Sequence, residues 1–159
     1  MFNVAMRITK DYMDAEDVLQ EAFVRAFRSL GSFKGESTFG AWLKRIVINT
    51  SINSLNKKKD IWADIDKHAA EIPEEDAQEA APAWDMETIR KKILMLPEGY
   101  RVVFNLYLIE GYDHTEIGDI LNISEATSKS QYHRAKKKLR ELLESEDGSW
   151  KIGERDNIF

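Results

Sequence analysis

Cysteine is absent from all 159 residues. That excludes disulfides and thiolate zinc sites and agrees with a reducing, cytoplasmic location. Long apolar runs are also missing. No stretch is long enough to span a bilayer, and the N-terminus has no extended apolar core of the secretory kind, so direct membrane insertion is not expected. The three histidines, His68, His114 and His133, are scattered without metal-ligand spacing, and no glycine-rich phosphate loop occurs. Carboxylates concentrate in one polar stretch rather than pairing across an apolar pocket. The chain therefore offers no catalytic residues, no metal site and no cofactor site. The 8 glycines and 3 prolines punctuate the chain, and no alternating pattern is long enough for a sheet.

Negative charge prevails overall, at −5, which taken alone argues against a nucleic-acid partner. Its distribution reverses that inference. Residues 1–59 hold 10 Lys/Arg against 6 Asp/Glu, and residues 60–88 hold 1 against 10. Residues 89–145 return to 10 against 8, and residues 146–159 hold 2 against 4. Two mildly basic blocks thus flank one strongly acidic segment, which carries Pro73 and Pro82 and lacks apolar periodicity. The expected fold is all-α: two small helical domains, 1–59 and 89–145, joined by a flexible acidic linker, 60–88, with a tail, 146–159.

In the first block, Met1 to Ile8 reads as the end of a helix. Asp14 is expected to cap a second helix, with Asp17 three residues on and Gly31 as its stop. Its apolar stripe is Val18, Leu19, Ala22, Phe23, Ala26, Phe27 and Leu30. The loop from Ser32 to Glu36 leads to a cap at Ser37 or Thr38 and a third helix running to about Lys58. That helix is apolar on two sides, Phe39, Leu43, Ile46 and Val47 on one and Ile48, Ile52 and Leu55 on the other, so it should be wedged between others. In the second block, helices are expected over Asp85–Leu96, Glu98–Ile109 and His114–Leu121. Asn122-Ile123-Ser124 makes a turn, and Ser124 caps a long helix to about Leu143. A short helix, a tight turn and a longer basic helix make a helix-turn-helix.

Three surfaces stand out. On the last helix, Tyr132, Ala135, Leu139, Leu142 and Leu143 fall on one side, and Lys129, Ser130, His133, Arg134, Lys137 and Arg140 on the other. Cations and a hydroxyl in the N-terminal half suit the major groove, where some donate to guanine edges and others hold phosphates. A solvated basic face complementing the helix dipole would look the same in isolation. The second helix presents Asp17, Glu21, Val24, Arg25 and Arg28, with Gln20 at the margin, and Val24 could be the apolar centre of a partner contact. Phe33, beside Lys34, is either folded back on the core or offered as a stacking platform for an unpaired base. The third helix adds Lys44, Arg45 and Asn49, with Trp42 near its start.

Taken in order, these blocks resemble the extracytoplasmic-function sigma factors of the sigma-70 family. Asp14-Ala15-Glu16-Asp17-Val18-Leu19-Gln20-Glu21-Ala22-Phe23 resembles the core-polymerase-binding helix of region two. Ser32-Phe33-Lys34-Gly35-Glu36-Ser37-Thr38-Phe39, followed by Trp42-Leu43, Arg45-Ile46 and Asn49, resembles the part that melts and reads the minus-ten element. Leu96-Pro97, Glu116-Ile117, Thr127, Lys129-Ser130 and Arg134-Ala135 resemble region four. The resemblance covers about 130 residues. It implies a non-catalytic subunit directing RNA polymerase to promoters. Asp17, Gln20, Glu21 and Val24 would face the β′ coiled coil, with the β flap as a further polymerase contact. Phe33 and Lys34 would capture a flipped minus-ten base, supported by Arg45 and Asn49. Lys129, Ser130, His133 and Arg134 would enter the minus-35 groove, with Lys137 on phosphate. An anti-sigma partner, frequently membrane-bound in the family, is implied too. Ala126, Ser128 and Gln131 stand where the family often has Gly, Val and Arg, and Asn53 where aspartate is frequent. The family usually has more residues before Met1, so the first domain is expected to be N-terminally short. The rival readings are a helix-turn-helix repressor or activator, and a degenerate sigma-like interaction module.

Overall fold

The computed structural model of the chain describes residues 1–58 and 84–153, with side chains as far as Ser145. The expected flexible linker lies almost wholly outside the described residues, as does the end of the tail. Every described element is helical: α1 Phe2–Thr9, α2 Tyr12–Ser29, α3 Phe39–Lys58, α4 Met86–Met95, α5 Glu98–Phe104, α6 His114–Leu121 and α7 Glu125–Gly153.

The first three helices form one group. Lys10 closes α1 in the left-handed conformation at φ 63°. Asp11 follows at once and caps α2, accepting from the Asp14 N–H at 3.0 Å. The expected cap, Asp14, is instead inside the first turn, where its negative charge suits the helix dipole. Nor does Gly31 end α2. The Ser29 hydroxyl donates to the Arg25 carbonyl, and a 3-10 turn over Leu30–Ser32 tightens the chain. Thr38 is the cap of α3, its Oγ1 accepting from the Ala41 N–H at 3.2 Å.

The buried stripe of α2 is Ala15, Val18, Ala22 and Ala26, small side chains that let α3 approach closely. Phe23, Phe27 and Leu30, read from the sequence as core, are exposed, Phe27 by 74%. The wedge expected of α3 is present: Leu43, Val47, Ile48, Ile52 and Leu55 are all buried, and α3 packs on both α1 and α2.

In the second group, Asp85 caps α4 by accepting from the Thr88 N–H at 2.9 Å, where the sequence places the start of this helix. The helix expected over Glu98–Ile109 starts as α5 and finishes in a π turn at Asn105–Ile109, closed by Gly111 at φ 81°. Asp113 and Glu116 form a full capping box on α6. Asn122 ends α6 at φ 56°, and Ser124 then accepts from the Thr127 N–H. Gly118 has a specific reason to be glycine: a Cβ there would sit 2.8 Å from the Ile123 carbonyl oxygen. The last helix runs to Gly153 rather than stopping near Leu143.

The two groups do not have wholly separate cores. Ile93, Leu96, Phe104, Ala135, Leu139 and Leu143 form a cluster belonging to the second group alone. The larger cluster joins Val4, Ala5, Ile8, Val47 and Ile48 with Val102, Val103, Leu106, Ile117 and Leu121. Polar contacts reinforce that junction. Arg101, buried, donates from Nη2 to the Ile8 carbonyl at 3.0 Å and from Nε to the Arg7 carbonyl at 3.4 Å. Asn105 Nδ2 also donates to the Arg7 carbonyl, at 3.3 Å. The last carbonyls of a helix have no partner within it and carry its negative pole, so a guanidinium is their natural complement.

Candidate nucleic-acid and polymerase interfaces

On α7 the exposed side of the N-terminal half carries Ala126, Lys129 and Lys137, with His133 and Arg134 half-buried beside them. Lys129 Nζ pairs with Glu125 at 2.6 Å. Ser130 departs from the sequence reading. It is buried, and its hydroxyl donates to the Thr127 carbonyl of its own helix at 2.9 Å, so it does not belong to the outward face. A short side chain satisfied by its own helix has no free donor to offer a groove. Lys136, which the sequence reading left out, lies over the Tyr132 ring with Nζ 5.2 Å from its centroid.

A ring stack sets the geometry of this helix-turn-helix. Tyr107 and His114 stack with centroids 4.4 Å apart, and Tyr132 closes on Tyr107 at 4.5 Å. His114 Nδ1 lies 2.9 Å from Ser128 Oγ, which ties the start of α6 to α7. Burial first, and Lys129 second, hold the His114 pKa below its ordinary value, with Glu125 and Asp113 opposing. Ser128 and Gln131, two of the departures from the family pattern, are both buried. They therefore bear on packing rather than on the exposed face.

In the first group, Phe33, Phe39 and Trp42 form a three-ring cluster, with centroids 5.2–5.9 Å apart. Phe33 is thus both half-buried on neighbours and at the surface, and Phe39 is 50% exposed. Lys34 is exposed in the adjoining loop. Trp42, Arg45 and Asn49 follow at three- and four-residue steps along α3, on one stripe that continues to the exposed Asn53 and Asn56. Arg45 is half-buried, with its guanidinium carbon 5.5 Å from the centroid of the Tyr112 ring. Lys44 Nζ reaches Glu110 at 3.2 Å.

The outward face of α2 holds Asp17, Gln20, Glu21 and Val24, all exposed, and Glu21 pairs with Arg25. Phe27 stands beside them, one turn beyond Val24 and Phe23. A helical-wheel assignment to the core hid this aromatic from the sequence reading. What could have found it is the small-residue stripe Ala15-Ala22-Ala26, which already completes a buried face without it. Among the described residues no cluster of His, Cys, Asp or Glu could hold a metal ion, and no helix is long and apolar enough to cross a membrane.

Two family models match the chain in order. Sigma-70 region 2 matches residues 1–61, and Sigma-70, region 4 matches residues 86–139. The chain is 35% identical to the ECF RNA polymerase sigma factor SigW of Bacillus subtilis, over 90% of this chain and 82% of that protein. It is 31% identical to the RNA polymerase sigma-H factor of Pseudomonas aeruginosa, over 91% and 80%. Among solved structures, the sigma factor RpoE in complex with the anti-sigma factor NepR from Bartonella quintana superposes with a TM-score of 0.60 at 24% identity, covering 90% of this chain and 89% of that one. CnrH in complex with the cytosolic domain of CnrY gives 0.55 at 23%, covering 91% and 80%. With both regions present in order and relatives matched over most of their length, the chain belongs to the sigma-70 family as an extracytoplasmic-function sigma factor, a protein of promoter-specific transcription initiation.

Proposed function

We propose that the three exposed surfaces divide the work of initiation. The face of α2, Asp17, Gln20, Glu21, Val24 and Phe27, docks on the β′ coiled coil of core polymerase. The aromatic cluster around Phe33, with Lys34, Arg45 and Asn49, holds an unstacked minus-ten base. Lys129, His133 and Arg134 of α7 enter the minus-35 major groove, and Lys137 holds phosphate. Ser130 supports that helix from within. The chain contributes no chemistry of its own and acts in the cytoplasm beside the polymerase. An anti-sigma protein is its regulatory partner; in one similar structure the sigma factor RpoE is in complex with the anti-sigma factor NepR.

One observation carries this reading: a stacking cluster and a polar stripe share the start of α3, while a separate basic helix follows a tight turn. Flipping a base costs stacking, and rings beside hydrogen-bonding groups offset that cost. Duplex readout needs a helix that fits the groove. The polymerase contact is tested by Asp17→Lys with Glu21→Lys. Both side chains are exposed, so folding should be little affected, while losing a paired interfacial charge costs about 2–5 kcal/mol. The double variant should fail to co-purify with core polymerase; retention at the wild-type level contradicts the assignment.

A further inference from the structure

We propose that His114 is a positioning residue for the minus-35 reading: its neutral ring, through Ser128 and Tyr132, fixes the rotation of α7 and hence the aim of Lys129, and protonation releases it. The proposal deepens the assignment of Lys129 to the groove and rests on it. His114 is the first residue of α6. Its Nδ1 lies 2.9 Å from Ser128 Oγ, and its ring centroid lies 5.7 Å from that of Tyr132. Ser128 and Tyr132 are one turn apart on α7, so one side of that helix is held at two points. Tyr107 touches both rings, at 4.4 Å from His114 and 4.5 Å from Tyr132. Lys129 and His133 each follow a held residue by one position, about 100° around the helix. Any turn of α7 about its axis therefore moves both. The next residue of α6 adds a second tie. The Thr115 hydroxyl donates to Glu125 Oε2 at 3.2 Å, and Glu125 Oε1 pairs with Lys129.

The tie depends on the charge of the ring. A neutral imidazole can accept the Ser128 hydroxyl proton at Nδ1; an imidazolium donates from both nitrogens and cannot. Ser128 is buried, so its hydroxyl would then have to turn within the packed interface. The new charge would also meet the positive pole of α6 at its own N-terminus. From α7 it faces the Lys129 ammonium and the Glu125 carboxylate, from the cap of α6 the Asp113 carboxylate, and beside it the phenol rings of Tyr107 and Tyr132. Burial first, and Lys129 second, outweigh the two carboxylates and hold the His114 pKa below its ordinary value. The neutral ring therefore prevails at neutral pH, and release belongs below the ordinary histidine range.

The test is selection by reconstituted holoenzyme from a duplex promoter pool randomised at the upstream element, between about pH 7.5 and 5.5, which spans the ordinary histidine range. Enrichment of the preferred element over scrambled sequence is the readout, so general effects of pH on polymerase cancel. Wild type should lose selectivity about three- to tenfold on acidification, the range that one hydrogen bond accounts for. His114→Asn places an amide where the imidazole has Nδ1; it should keep selectivity at neutral pH and hold it in acid. His114→Phe keeps a ring against Tyr107 but offers nothing to Ser128; it should show the acid-form selectivity at every pH. Ser128→Ala should match it, and the double variant should lose nothing more. Should His114→Phe fail to fold, Ser128→Ala and the His114→Asn profile decide alone. Wild-type selectivity in His114→Phe or Ser128→Ala overturns the proposal. So does an acid loss that persists in His114→Asn, which would belong to another group, His133 of the same helix first. Lys129→Ala separates the underlying assignment. If it keeps wild-type selectivity, the groove reading of Lys129 falls and takes the proposal with it. If it loses selectivity while the His114 variants do not, only the positioning role falls.

Discussion

Ser130 and Arg134 stand one turn apart on α7 and should respond differently to the same change. Ser130 is spent on its own helix, so Ser130→Ala should leave sequence preference at the upstream element unaltered. Arg134 is half-buried at the edge of the exposed face, and Arg134→Ala should cost about 1–3 kcal/mol and relax preference at one promoter position. Lys137→Ala should weaken all sequences alike and make the salt dependence shallower by about one. Transcription by reconstituted holoenzyme over a randomised upstream element, at several salt concentrations, reads all three. At the same scale, His114 links stability to pH. Its pKa is depressed by burial and Lys129, so the unfolded chain takes up a proton that the folded chain resists. The stability held above the ordinary histidine range is therefore lost as pH falls through that range toward the folded pKa. Thermal midpoints from pH 7.5 down to 5.5 should fall less in His114→Gln than in wild type. Equal falls would mean that the ring stack on Tyr107 tolerates the charge.

Among the elements, α2 shows both how much the sequence disclosed and where it stopped. Its existence, length and polar outward face were legible from Asp17, Glu21 and Val24. Its inner face was not, because period alone does not say how wide a buried stripe is. The alanines pack so closely on α3 that Phe23, Phe27 and Leu30 are left outside. Phe27→Ala should therefore change folding stability by no more than about 0.5 kcal/mol and weaken core-polymerase binding by about 2 kcal/mol. Denaturation and a polymerase-binding titration on one preparation separate the two, and a large loss of stability would return Phe27 to the core. The helix-turn-helix was more fully legible, since Asn122 and Ser124 are local signals that act within a turn of themselves. Ser130 was not, because its burial depends on rotamer and backbone bonding rather than on angle around the helix. The π turn at Asn105–Ile109 and the Arg101 contact depend on tertiary packing that no local pattern encodes.

For the whole molecule, the charge blocks foretold two basic helical groups around an acidic segment, and composition pointed away from metal and catalytic chemistry. The shared core between the groups was invisible to that reasoning. Val102, Val103 and Leu106 look like ordinary interior residues of their own group, yet they cluster with α1. With a net charge of −5, the free chain should bind duplex DNA only weakly. Whether this chain gives polymerase its promoter address is decided by transcription with core polymerase, with and without the chain, on a promoter pool randomised at both the upstream and the melted element. Transcripts should depend on the chain and select two sequence blocks at a fixed spacing, the downstream preference disappearing with Asn49→Ala while the upstream one remains. Chain-independent transcripts, or tight sequence-specific binding by the chain alone without polymerase, would contradict it.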